Sequence, residues 1–186
     1  MSGSAAAPYI RRARVDDADA IARVQVASWK TTYRGVVADA YLDAMELGER
    51  PAYWRRAIEG GAELAFVAEE IESGAVVGFV TGGANRREEP YAAPFTAELY
   101  AIYLLDAHQR GGSGTRLVRA LVSALLERGE RSMVVMVLEE NPSCAFYQQL
   151  GATRQGGEPV RIGGEWYPGA AYAWHDLAAL GRRLGW

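Results

Sequence analysis

The sequence predicts an α plus β fold, with helices flanking one mixed, mostly antiparallel sheet. Three observations predict it. The segments AELAFVAEE, AVVGFVTGG, AELYAIYLL and SMVVMVLEE are short apolar runs rich in branched and aromatic residues, as strands require. Between the last two lies a stretch of helical period, where Leu117, Leu121 and Leu125 share one stripe with Val118 and Val122 beside it. Glycine and proline punctuate the joins.

Taken in order, Met1 to Pro8 are small and turn-prone and read as a frayed leader, leaving residues 9–186 as a single domain. YIRRARV from Tyr9 reads as a first strand. Asp16 and Asp17 stand where helix caps belong, ahead of a helix from Ala18 that carries Ile21, Val24, Val26 and Trp29 and is closed by Gly35. A second helical stretch spans Ala38 to Glu46, and PAYWRRAIEG makes a third with Pro51 in its first turn. Two antiparallel strands joined by a tight turn at Ser73 and Gly74 follow, then the polar loop RREEPYAAPF, then the strand from Ala97. Gly129 ends the long helix. NPSCAFYQQLG is a short helix with Asn141 as cap, Pro142 at its first position and Gly151 as stop. The remainder is expected to form two closing strands with glycine turns.

Composition narrows the partners. The chain has 186 residues, 49% of them apolar, which suits one soluble domain with a substantial core. A net charge of −3 offers no basic footprint for nucleic acid. No apolar run is long enough to suggest a membrane span, and MSGSAAAPYI lacks the charged-then-apolar order of a signal peptide, so a cytoplasmic location is expected. Cys144 is the only cysteine, and His108 and His175 are poorly spaced, so no structural metal is expected. A homodimer stays open.

The chemistry concentrates where the strand from Ala97 breaks into QRGGSG, just before the long helix. A helix N-terminus presents unpaired N–H groups and a positive dipole end, and glycines ahead of it let backbone approach a phosphate. A nucleoside triphosphate loop needs Lys then Ser or Thr after its second glycine, whereas Gly114 is followed by Thr115 and Arg116. A dinucleotide fingerprint needs a third glycine in register, and Leu117 follows instead.

The spacing of Gln109, Gly112 and Gly114 resembles the Gln/Arg-x-x-Gly-x-Gly/Ala loop of the GNAT superfamily of acyl-CoA N-acyltransferases. By element order the resemblance runs from Tyr9 to Leu177, with specific motifs at Glu98 to Thr115 and Asn141 to Gly151. It implies a sheet whose central strands splay. It implies acetyl-CoA as co-substrate, its pyrophosphate wrapped by Gln109, Arg110, Gly111, Gly112, Ser113, Gly114 and Thr115. Main-chain groups around Leu104 and Leu105 would pair with the pantetheine arm, a bulge N–H near Leu104 would polarise the thioester carbonyl, and Asn141 would bond the arm. Tyr147 would protonate the departing sulfur. Glu98, at the separation from Gln109 of the general base in the histone acetyltransferase branch, would take the amine proton through water. Ser113 stands where bulkier residues are frequent in the family.

The implied reaction is direct attack of a primary amine on the thioester within a ternary complex. A covalent route through Cys144 has no base near it in sequence, and the histidines receive no role. The acceptor pocket of the family comes from the first helices and last strands, which carry Trp29, Tyr33, Trp54, Trp166, Tyr167 and Tyr172. Trp29 and Tyr33 lie in ASWKTTYRG, which is similar to the matching region of PaiA-type polyamine acetyltransferases, and the acidic pairs Glu69–Glu70, Glu88–Glu89 and Glu139–Glu140 could draw in a polycation. A small-molecule amine is the expected acceptor. A protein lysine or N-terminus, or a non-catalytic acyl-CoA sensor, are the alternatives.

Overall fold

The structure is a computed structural model that describes residues 7–185. Seven strands form one sheet in the order β1-β2-β3-β4-β5-β9-β6. They are β1 (Tyr9–Arg12), β2 (Leu64–Glu69), β3 (Val76–Ala84), β4 (Ala97–Leu104), β5 (Met133–Leu138), β6 (Thr153–Gly156) and β9 (Gly169–Trp174). A separate hairpin pairs β7 (Val160–Ile162) with β8 (Glu165–Tyr167). Its two-residue turn is Gly163-Gly164, with φ of 59° and 92°, values that the tight hairpin turn demands and glycine supplies without a Cβ clash.

The helices are α1 (Ala18–Thr32), α2 (Asp39–Asp43), α3 (Arg50–Gly60), α4 (Ser113–Glu127), α5 (Ser143–Gln149) and α6 (Leu177–Arg183). The leucine stripe explains how α4 sits. Leu117, Leu121 and Leu125 are fully buried together with Leu99, Met133 and Val80 of the sheet. Each such side chain contributes about 1.5–3 kcal/mol on leaving water. α1 covers the other face, where Ile21, Ala22 and Val24 pack with Trp54 of α3 and with Val67 and Phe79.

Three expectations are corrected. The closing segment makes four strands rather than two, because β7 and β8 leave the main sheet as a hairpin of their own. A terminal helix, α6, was not expected; Asp176 caps it by accepting from the Ala179 N–H at 2.9 Å, and Leu177 and Leu180 join the core under α4. The second helix spans five residues, Asp39–Asp43, because only Leu42 of it is buried. Met1 to Ala6, most of the leader, lie outside the described residues. Pro8 is buried and its carbonyl accepts from Arg116 Nη1 at 2.8 Å, so the packed domain already includes it.

Two irregularities in β4 shape the centre of the sheet. Against β3 its register is regular from Leu104 opposite Gly78 to Ala101 opposite Thr81, and then slips so that Leu99 faces Gly82 and Tyr100 is the extra residue. A bulge reverses the alternation of side chains across it. Ala97 and Leu99 therefore share the α4 face with Ile102 and Leu104, whereas Ala101 and Tyr103 face α1. On its other edge β4 is parallel to β5, but only Ala97, Glu98 and Leu99 pair, with Met133, Val134 and Val135. Beyond them each strand keeps its outer neighbour and the two diverge.

Candidate active site

The divergence of β4 and β5 opens a cleft of about 740 Å³, bounded by the glycine loop, by α5 and by the end of α1. Leu105 N–H donates to Val77 O at 2.9 Å, so alternation along the strand sends the polar groups of Ala101 and Tyr103 to β3 and those of Ile102 and Leu104 into the gap. The Leu104 carbonyl accepts from Gln109 Nε2 at 3.0 Å. That leaves the Leu104 N–H and both main-chain groups of Ile102 as an unpaired strand edge. Two expectations shift here. Leu105 is not part of this edge, since its N–H is on Val77 and its carbonyl accepts from His108 N–H at 2.9 Å. The bulge lies at Tyr100 rather than near Leu104.

The glycine loop closes one end. Arg110 has φ 59° and Gly112 has φ 79°, two left-handed residues that bend the chain sharply into α4. Arg110 is the one non-glycine residue with positive φ among those described. The first loop amide to find a helical acceptor is that of Arg116, on Gly112 O at 3.1 Å, so the N–H groups of Ser113, Gly114 and Thr115 have no partner in the helix. Gln109, Arg110, Gly112, Gly114 and Thr115 line the cleft. Ser113 does not: it is buried, with its Oγ accepting from Arg116 Nη2 at 3.1 Å, and Gly111 is exposed outside the lining.

On the α5 side, Asn141 is buried and doubly engaged. Its Oδ1 accepts from Ser143 N–H at 2.8 Å, the expected capping of α5, and its Nδ2 donates to Tyr33 Oη at 2.9 Å. It thereby ties the start of α5 to the end of α1. Tyr147 projects from α5 against Tyr172 and Trp174 and lines the cleft. Burial pushes its phenol well above its ordinary pKa, so it stays protonated. Tyr33 also lines the cleft, and its ring packs on Trp29 at 4.7 Å. Trp29 is set back from the lining and donates from Nε1 to Tyr103 Oη at 2.8 Å.

Glu98 requires a correction. It is 1% exposed, lies on the face of β4 turned away from α4, and is absent from the cleft lining. Its Oε1 accepts from Arg87 Nε at 2.7 Å and pairs with Arg87 Nη2 at 2.6 Å, and its Oε2 accepts from Arg86 N–H at 3.3 Å. The carboxylate thus ties the loop after β3 onto the sheet. Its spacing from Gln109 places it on the right strand, but nothing in the spacing says which arginines will meet it. Burial raises the Cys144 thiol pKa and its Sγ donates toward Leu138 O, which disfavours the thiolate that a covalent route needs. Of the remaining aromatics, Trp54 packs in the core on Phe79, Trp166 is exposed, and Tyr167 Oη accepts from Ala38 N–H. Sequence reasoning missed Tyr103 as a cleft residue; with the bulge unplaced, the face it occupies could not be read.

Among the described residues no group of three His, Cys, Asp or Glu could hold a metal ion, and no helix is long and apolar enough to cross a membrane.

The comparisons with known proteins agree with this geometry. A family model described as FR47-like protein matches residues 76–158, which hold β3, β4, the glycine loop, α4, β5 and α5. The chain is 37% identical over 172 residues to the protein named Uncharacterized N-acetyltransferase YuaI of Bacillus subtilis (strain 168), covering 92% of this chain and 95% of that one. Among solved structures, a GCN5-related N-acetyltransferase from Rhodopseudomonas palustris superposes with a TM-score of 0.69 at 19% identity, over 94% of this chain and 99% of the other. A putative acetyltransferase, yncA, from Salmonella typhimurium, solved with acetyl-CoA, gives 0.68 at 23% identity over 90% and 93%. The PaiA N-acetyltransferase of Thermoplasma acidophilum, solved with coenzyme A, gives 0.61 at 19% identity over 87% and 96%, so the likeness to PaiA stands no higher than the others. Splayed strands, the loop at the head of α4 and a relative matched along nearly its whole length converge on one statement: the chain belongs to the GNAT superfamily of N-acyltransferases.

Proposed function

We propose that the protein transfers the acetyl group of acetyl-CoA to a small primary amine by direct attack within a ternary complex. The observation that carries this reading is the meeting, in one cleft, of an unpaired strand edge, a helix N-terminus with free amides and a protonated tyrosine. The amides of Ser113, Gly114 and Thr115 and the Arg110 side chain would hold the pyrophosphate. The pantetheine arm, which carries amides of its own, would pair with Ile102 and Leu104 as an added strand, filling the gap between β4 and β5. Asn141 would bond the arm with the capacity it has left. Solved neighbours that carry acetyl-CoA or coenzyme A support the choice of ligand.

An alkyl amine has a pKa of about 10.4 and arrives charged, so it must lose a proton before it can attack. Because Glu98 is occupied by Arg86 and Arg87, we assign that step to water in the open cleft. Strand-edge N–H groups would stabilise the oxyanion. Tyr147 would meet the developing thiolate as a hydrogen-bond donor and general acid. Its raised pKa keeps the proton available over the whole range in which a thiol of pKa about 8.5 is a leaving group.

Calorimetric titration with acetyl-CoA, followed in the same sample by thiol release against a panel of amines, tests the proposal. Binding with release for an amine supports it. Binding without release for any amine would establish an acyl-CoA sensor instead, and absence of binding would remove the coenzyme assignment.

A further inference from the structure

Two tyrosine hydroxyls, those of Tyr103 and Tyr147, reach the inner part of the cleft with protons that no acceptor among the described residues takes. Tyr103 Oη accepts from Trp29 and is met by the Tyr33 O–H, Tyr33 Oη accepts from Asn141, and Tyr147 Oη has no side-chain or main-chain partner there. Tyr100, by contrast, has spent its proton on Ala84 O at 2.6 Å. Tyr33 and Tyr103 stand on the α1 side of the split sheet and Tyr147 on the α5 side. Tyr103 is held by Trp29 and by the Tyr33 hydroxyl, which Asn141 holds in turn, so the Tyr103 O–H is placed before any ligand arrives.

Charge is equally informative. Among the described residues, the only charged ones that line the cleft are Asp106 and Arg110, both in the connection between β4 and α4, at the glycine-loop end. The acidic pairs at Glu69, Glu88 and Glu139 are all absent from the lining, and Glu98 is bound to arginines. A second ammonium group on the acceptor would lose water and find no carboxylate; a carboxylate on it would find no cation. An uncharged oxygen can take a hydrogen bond from a phenol without that penalty.

We propose that Tyr103, with Tyr33 beside it, determines acceptor specificity, and that the acceptor is a primary amine carrying an uncharged hydrogen-bond acceptor such as an amide carbonyl. This specificity rests on the acetyltransferase function proposed for the same cleft.

The test measures kcat/KM with β-alaninamide, n-butylamine, putrescine and β-alanine at saturating acetyl-CoA, for the wild type, Tyr103→Phe and Tyr33→Phe, with the Kd for acetyl-CoA measured on each protein. β-Alaninamide is expected to exceed n-butylamine by about tenfold, the ordinary worth of one hydrogen bond. Tyr103→Phe should remove that preference by lowering the amide alone, with n-butylamine unchanged within about twofold. Tyr33→Phe, which leaves the Trp29 contact intact but removes a hydroxyl that positions Tyr103, should narrow the ratio of amide to n-butylamine to a smaller degree and carries the test if Tyr103→Phe does not fold. Preference for putrescine or β-alanine would overturn the inference while leaving the acetyltransferase reading in place. So would an equal loss for the amide and n-butylamine, which is what a packing role predicts. Failure to bind acetyl-CoA, or binding without thiol release for every amine, would overturn both.

Discussion

The two ends of the cleft are built in opposite ways. The glycine-loop end is one continuous stretch of chain, Gln109 to Thr115, whose shape follows from left-handed residues and from the free amides that begin any helix. The inner end is assembled from α1, β4 and α5, and its polar groups are fixed by contacts as distant in sequence as Asn141 with Tyr33 and Trp29 with Tyr103. The first end offers a fixed array of backbone donors, insensitive to side-chain identity except where a Cβ or a charge intrudes. The second depends on individual hydroxyls. Affinity for the coenzyme is therefore expected to break at the loop, and rate and selectivity at the tyrosines.

Gly112→Glu is the largest expected effect. It adds a negative charge at the phosphate site and forces a side chain on a residue at φ 79°, so binding of acetyl-CoA should be lost on calorimetric titration. Tyr147→Phe should act at the other end: kcat falls about 100-fold or more while the Kd for acetyl-CoA changes less than about threefold. A wild-type rate across the pH range would remove Tyr147 from the chemistry.

A weaker pair of effects lies outside both ends. Glu98→Gln should lower stability by about 1–3 kcal/mol in denaturant unfolding, because Arg87 loses its charged partner, and should leave the pH profile of kcat in place. A profile that loses its acidic limb would restore Glu98 as the base. Asp17 is the smallest case. Burial opposes its charge, yet Arg11 and the Arg14 N–H hold its carboxyl below the usual carboxylate range. A depressed pKa contributes stability above the unfolded value, about 3.9, that is lost as the pH falls through the folded one. Asp17→Asn should therefore lower Tm at neutral pH, with the gap to the wild type closing below about pH 4.

Much of the fold was legible because it is written locally. The leucine stripe of α4 and the apolar runs of β2 to β5 state their own period, and the glycine loop states its turn. Asn141 and Tyr147 were legible through the spacing of a family motif and do line the cleft. Other features depended on partners far away in the chain. The four closing strands follow from which edges remain open, and α6 from a core surface that only the finished sheet presents.

By itself, then, the sequence determined the order of elements from β1 to α5, the loop at the head of α4 and the family, because periodicity, turn chemistry and motif spacing act over a few residues. Only the tertiary structure decided that Tyr100 is the bulged residue, and the consequences are large. One extra residue in β4 puts Glu98 and Tyr103 on the same face, the one turned away from α4, where unbroken alternation would have put them on opposite faces. A strand's side chains alternate with a period of two, so a slip of one residue exchanges its faces, and where the slip falls is set by pairing with β3.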